Sequence, residues 1–305
     1  MLNPILASSA LRRMRSARTI VICGVYTAVL FFLTCLCMSV FLVSDTVTLS
    51  DISRGMNTYL ILLLAQFALI VLVAPAMTAS SIAGERERQT LELLLVTNTG
   101  SMRIVFGKLM ESFAFLALLI VSSLPVMCLT MLLGGVTLFH ILSGLLFLLC
   151  CAFAAASVGI LCSSFMKNTV GATIISYIIL LAIGAGTLMP LVDGIDKAKI
   201  TDVLYNSAAY AAMTPLDALK MIPKTLLINP GVGLISLIES QTGMIQSDFA
   251  SMRGRLNAMF LLLEKIGYEV VPFLNMAIMI IAALILVCIA SALVRPRRVR
   301  VRRKA

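Results

Sequence analysis

The chain has 305 residues, 60% of them hydrophobic and 12% charged, with a mean hydropathy of +1.06 and a formal net charge of +10. Soluble domains run at about 45–50% apolar and about 25% charged residues, so polar surface is too scarce here to cover a soluble core of this length. The composition excludes a soluble enzyme or binding module and predicts an all-α integral membrane protein, whose charge has to be read by location.

Taken in chain order, the apolar runs 19–43, 59–78, 104–133, 141–162, 169–192 and 270–294 each hold roughly 20 or more residues, enough to cross about 30 Å of hydrocarbon as helices. Six spans leave no room for a sizeable soluble domain. The first run has a basic flank, but at about 25 residues it exceeds a 7–15-residue signal-peptide core, and no small-x-small site follows before Ser44 and Asp45. It reads as a retained anchor. Pro125 is expected to kink the third span. His140 reads as an interfacial residue at the outer end of that span.

Basic residues are retained on the cytoplasmic side of spans. Arg12, Arg13, Arg15 and Arg18 precede the first span, and the basic tail 295–305 follows the last. Both termini are therefore expected inside, together with Arg86, Arg88, Arg103, Lys108 and Lys167. The loops 44–58 and 134–140, which carry only Arg54, and the segment 193–269 are expected outside. That segment keeps helix-compatible apolar stretches between Pro215, Pro223, Pro230 and Gly243; re-entrant helices and a small outer helical domain both fit it. The tail, RPRRVRVRRKA, has no interleaved aromatic residue and directly follows a span. It reads as an anionic-lipid clamp or topology anchor, not a nucleic-acid site.

Within the spans, chemistry-bearing residues are scarce. Cys23, Cys35, Cys37, Cys128, Cys150, Cys151, Cys162 and Cys288 all fall in apolar runs and read as small hydrophobes, without disulfide or metal-site spacing. Gln66 and Asn275 are the main polar interruptions, and Glu111 follows Lys108 by three residues, within pairing reach. No coupling-ion site or catalytic dyad is expected, since ion-coupled transporters place ionisable groups at membrane depth. The glycines at 100 and 107 are too far apart for a phosphate-binding loop, and Leu109 stands where Ser or Thr should follow Lys108.

Charge concentrates instead in SSIAGERERQTLELLLVTNTG, residues 80–100. A helix from Gly84 to Val96 is predicted there, gathering Leu91, Leu94 and Leu95 on one side and spacing Arg88 and Glu92 for an i,i+4 pair. Such a helix would lie along the inner membrane face and offer mixed charge to a protein partner.

At three places the sequence resembles the ABC-2 type permeases, the membrane subunits of ATP-binding-cassette exporters. These are NPIL at Asn3 to Leu6 before an Arg-rich stretch, the block IAGERERQTLELLLVTNTGSMRIVFGKL at Ile82 to Leu109, and the six-span layout with a long outer segment before the last span. In the second, Gly84, Glu85, Arg86, Glu87, Thr90, Leu91, Glu92, Gly107 and Lys108 match the family pattern. At the N-terminus, Ser-Ala-Leu-Arg-Arg departs from it, an acidic residue being usual before Leu-Arg. The resemblance implies one ABC-2 transmembrane domain over 1–305, with an interfacial helix at 1–18, a coupling segment at 79–103 carrying Gly84, Glu85, Arg86, Glu87, Arg88, Thr90, Leu91 and Glu92, and short outer helices. It further implies a separate cytoplasmic ATPase holding ATP and magnesium, a second permease copy or paralogue, lipid contacts at the interfacial arginines, and a place in the bacterial plasma membrane. The alternatives from other classes are an ATPase-independent oligomeric channel or scaffold, which Gly184-Ala-Gly186 keeps open, and an intramembrane enzyme, which lacks paired catalytic groups.

Overall fold

A computed structural model describes residues 17–42, 51–89, 101–188, 213–243 and 255–294. Among these the chain is helical throughout, without strands. In chain order the helices are α1 (Ala17–Leu42), α2 (Asp51–Thr78), α3 (Ser80–Glu87), α4 (Ser101–Ser122), α5 (Leu124–Leu132), α6 (Leu138–Phe165), α7 (Thr169–Gly186), α8 (Pro215–Met221), α9 (Pro230–Thr242), α10 (Arg255–Ile266) and α11 (Val270–Val294), with a 3-10 turn at Leu226–Ile228. Six stretches are long and apolar enough to cross a membrane, matching the six expected runs. Most of the expected interfacial helix, Arg12, Arg13 and Arg15, the basic tail, and Thr90, Leu91 and Glu92 lie outside the described residues. So does the Arg18 side chain.

Helix α6 is the hub. It packs against α2, α4, α7 and α11, and 67% of its most apolar stretch is buried, against 22% for the corresponding stretch of α1 and 11% for that of α7. Helices in lipid gain nothing from apolar burial against one another, so close packing has to come from small residues. On α6 these include Gly144 and Gly159. A Cβ at Gly144 would stand 2.6 Å from the Tyr59 hydroxyl, and one at Gly159 only 1.8 Å from Thr78 Oγ1, so α2 seats on α6 at both ends through the absence of a side chain. The Tyr59 hydroxyl donates to the His140 carbonyl at 2.7 Å. The outward faces of α1 and α7 stay apolar and exposed, as with Phe32 and Leu181, in keeping with lipid contact.

The expected third span is two helices. Pro125 has no N–H and crowds the carbonyl four residues back, so α4 stops at Ser122 and α5 starts again at Leu124. The Ser123 hydroxyl occupies the carbonyl of Ile120 at 2.6 Å. His140 belongs to the following helix, not to the third span. It is the third residue of α6 and forms a reciprocal capping box with Thr137.

In the segment before the last span, α9 packs on α11 and α6, with Leu234, Leu237 and Ile238 in the main core, so this helix is not part of a free outer domain. Helices α8 and α10 pack on each other over a second cluster containing Ala218, Ile222, Leu262 and Leu263. Two asparagines tie the pieces together. Asn275 of α11 donates to the carbonyls of Leu227 and Asn229. Asn229 in turn caps α9 through Gly231 N–H and donates to the Gly184 carbonyl and Thr187 Oγ1 at the end of α7. Gly233 packs on Asn275; a Cβ there would lie 2.3 Å from its Oδ1. The polar interruption read at Asn275 is thus an architectural bond. Helix α7 closes at Gly186, short of the expected boundary at 192, with the Thr187 N–H bonded back to the Ile183 carbonyl.

Candidate functional site

At one end of the bundle, α3 continues α2 after a break at Ala79 and is fixed to the turn between α6 and α7. The local sequence gives α3 no cap of its own, because Ala79 precedes it and offers no side-chain acceptor. The acceptor comes from α6. Ser163, fully buried, receives the Ile82 and Ala83 N–H groups on its Oγ at 2.9 and 2.8 Å. The favour is returned at both sides of the turn. Arg86 donates from its two terminal nitrogens to the carbonyls of Ser164 and Met166 at 3.0 and 2.9 Å, placing a cation on the negative end of α6. Asn168, the N-cap residue of α7, makes no side-chain cap bond, and Glu87 takes that part: its Oε2 accepts from Thr169 Oγ1 at 3.0 Å and from Thr169 N–H at 3.4 Å. Neighbouring residues of opposite charge thus meet the opposite poles of two helices. Ala79, Ala83 and Ala172 pack beneath them.

On the other side of α3, Lys108 of α4 bonds Glu85 at 2.6 Å and Glu111 at 3.7 Å, so the predicted Lys108–Glu111 pair is part of a larger group. Lys108 and Glu85 are each about four-fifths buried. A polar cleft of about 620 Å³ opens here, lined by Ser80, Ser81, Gly84, Glu85, Glu87, Arg88, Lys108 and Thr169. Arg88, Gln89 and Glu87 are exposed at its rim.

Of the expected helix over 84–96, residues 84–87 belong to α3, while 90–96 lie outside the described residues. Helix α3 begins earlier than expected, at Ser80, where Ser163 supplies the missing acceptor, and ends at Glu87, where Gln89 turns into the left-handed region at φ 59°. Arg88 is therefore a terminal residue and not the first member of an in-helix pair with Glu92. Of the sequence-derived site residues, the fold brings Gly84, Glu85, Arg86, Glu87 and Arg88 together, with Glu85 and Arg86 turned toward the bundle. The reading missed Ser163, Ser164, Met166 and Thr169. Their signal was faint: two serines end an apolar run, and Asn168-Thr169 offers a helix start beside them.

Away from this end, α2, α6, α7 and α11 enclose an almost wholly apolar crevice of about 100 Å³, lined among others by Phe67, Ala155, Leu180 and Met279. Gln66, on α2, is 1% exposed, with no hydrogen bond to its Oε1 among the described residues.

The pattern of a family described as "ABC-2 family transporter protein" matches residues 38–294, the greater part of the chain. The chain belongs to the ABC-2 family. The match takes in every described span except α1, of which it reaches only the last turn from residue 38, and it takes in the whole of the α3 site. A search among curated proteins finds no match. Membership makes this multi-pass protein a membrane permease of an ABC transporter, and the family implies association with an ABC ATPase.

Proposed function

We propose that this ABC-2 permease is the pathway-forming subunit of an exporter, driven by a separate ATPase that docks at the end of the bundle carrying α3. What supports this is one arrangement: exposed, mixed charge at Glu87 and Arg88, on a short helix bonded to α4, α6 and α7 beside a polar cleft. A free loop could bind a partner but could not pass a push to the spans. That end faces the cytoplasm in this reading, as the arginine flanks require, and the cell is bacterial. ATP and magnesium sit in the partner. Two permease copies with two ATPase subunits enclose the pathway, and the scarcity of charge along the spans favours an amphipathic or hydrophobic cargo.

The test is co-purification in mild detergent from the native host, comparing wild type with a variant reversed at Glu87, Arg88 and Glu92. Recovery of an ABC ATPase with wild type and its loss from the folded variant is the expected result. A folded variant that retains the ATPase moves the docking site elsewhere. No ATPase with either form returns the protein to the channel reading, to be followed by ion-flux measurements.

A further inference from the structure

We infer that Arg86 and Ser163 are positioning residues that join α3 and the α6–α7 turn into one rigid body, so that a displacement imposed on α3 is delivered to the adjoining ends of α6 and α7. This rests on the docking reading above. The argument is the reciprocity of the bonds. Helix α3 takes the acceptor for its Ile82 and Ala83 N–H groups from α6, through Ser163. In return, the end of α6 takes its carbonyl partners from Arg86, and the start of α7 takes its acceptor from Glu87. Parting α3 from the turn would strand helix-terminal groups on all three helices at once, some of them buried. Packing adds to this, since Ala83 and Ala172 are fully buried against each other's helices. On the far side α3 ends with Arg88 and Gln89 exposed, their N–H groups bonded back to the Gly84 and Arg86 carbonyls.

Two roles need separating: holding the fold together, and keeping one distance constant while the rest of the end moves. Arg86 suits the second. Its planar fork meets two carbonyls of one turn, which fixes orientation as well as position; a lysine keeps the charge but has no fork.

The experiment uses the permease with its ATPase in lipid nanodiscs, spin-labelled at Gln89→Cys and Lys167→Cys, both exposed positions outside the docking charges, in a background whose eight native cysteines are replaced. The distance between labels is measured without nucleotide and after trapping with ATP and vanadate. Wild type is expected to show the same distance in both states. Arg86→Ala and Ser163→Ala are expected to shift or broaden the trapped distribution while the ATPase stays bound, with Arg86→Lys between wild type and Arg86→Ala. A role limited to stability would lower the unfolding temperature of these variants without a nucleotide-dependent change of distance. A trapped-state shift in wild type overturns the inference, and so does an Arg86→Ala distribution that matches wild type. Absence of any bound ATPase from wild type overturns the docking reading and this inference together, whereas a wild-type shift with the ATPase bound overturns this inference alone.

Discussion

Replacing Ser163 with alanine should open the start of α3 while leaving its surroundings folded. The hydroxyl oxygen receives the Ile82 and Ala83 N–H groups in the first turn of α3, and its removal takes that acceptor from both. Leaving one buried donor unsatisfied costs about 1–3 kcal/mol, and losing an N-cap acceptor about 0.5–2 kcal/mol by a separate route to the same quantity. About 2 kcal/mol is therefore expected. At 1.4 kcal/mol per factor of ten, that is roughly a 30-fold faster exchange of the Ile82 and Ala83 amides if they exchange by local opening. Hydrogen–deuterium exchange of the peptide covering α3, with the α6 interior as internal control, reads it directly. A Ser163→Ala protein whose α3 exchange stays within about twofold of wild type, where 0.4 kcal/mol would be expected to lie, would refute the account of Ser163 as the cap of α3.

Gly159→Val should separate the ends of α2 and α6, because even a Cβ would lie 1.8 Å from Thr78 Oγ1 and 2.8 Å from Thr78 Cβ; a cost of about 1–3 kcal/mol is expected, read as a lowered unfolding temperature in detergent. Asn275→Leu removes the donor to the carbonyls of Leu227 and Asn229 inside the bundle, and limited proteolysis should then cut between the 3-10 turn and α9, at a cost of about 2–4 kcal/mol. Lys108→Ala leaves Glu85 and Glu111 without their shared cation; the loss of about 1 kcal/mol should shrink as salt rises, which a thermal shift series in sodium chloride would show. At α8, the Thr214 hydroxyl, followed by Lys220, holds the Asp217 carboxyl below its ordinary range. The sign follows: this contribution is complete above the unfolded-state value and fades as pH falls through the lower folded one, so α8 amide protection should drop only in acid, and Asp217→Asn should remove that dependence.

The spans were legible because a membrane imposes a length on apolar runs, and nothing subtler is needed to find six of them. Pro125 was equally plain, since the missing N–H acts locally. The site was legible in composition and not in geometry. Glu85, Arg86 and Glu87 announce themselves as charges in an uncharged chain, but periodicity could not show that Arg86 turns toward carbonyls 78 and 80 residues away. Nor could it show that the start of α3 depends on a serine of α6. A helix whose cap lies in another helix carries no start signal in its own sequence, which is why the expected boundary fell four residues late. Gln89 misled in the same way at the other end, being a residue with no marked preference for the left-handed region it occupies.

The closure of α7 by Asn229 carries a consequence for the lipid around it. Eighteen residues rise about 27 Å, while the 28 residues of the adjoining α6 rise about 42 Å. One bilayer of about 30 Å cannot match both without tilting the longer helix or thinning beside the shorter. Because Asn229 satisfies the Gly184 carbonyl from within the protein, α7 can stop before reaching water without leaving that group bare in hydrocarbon. The exposed flank of α7 is therefore the shortest described span presented to lipid, and acyl-chain length becomes a variable to which this protein should respond.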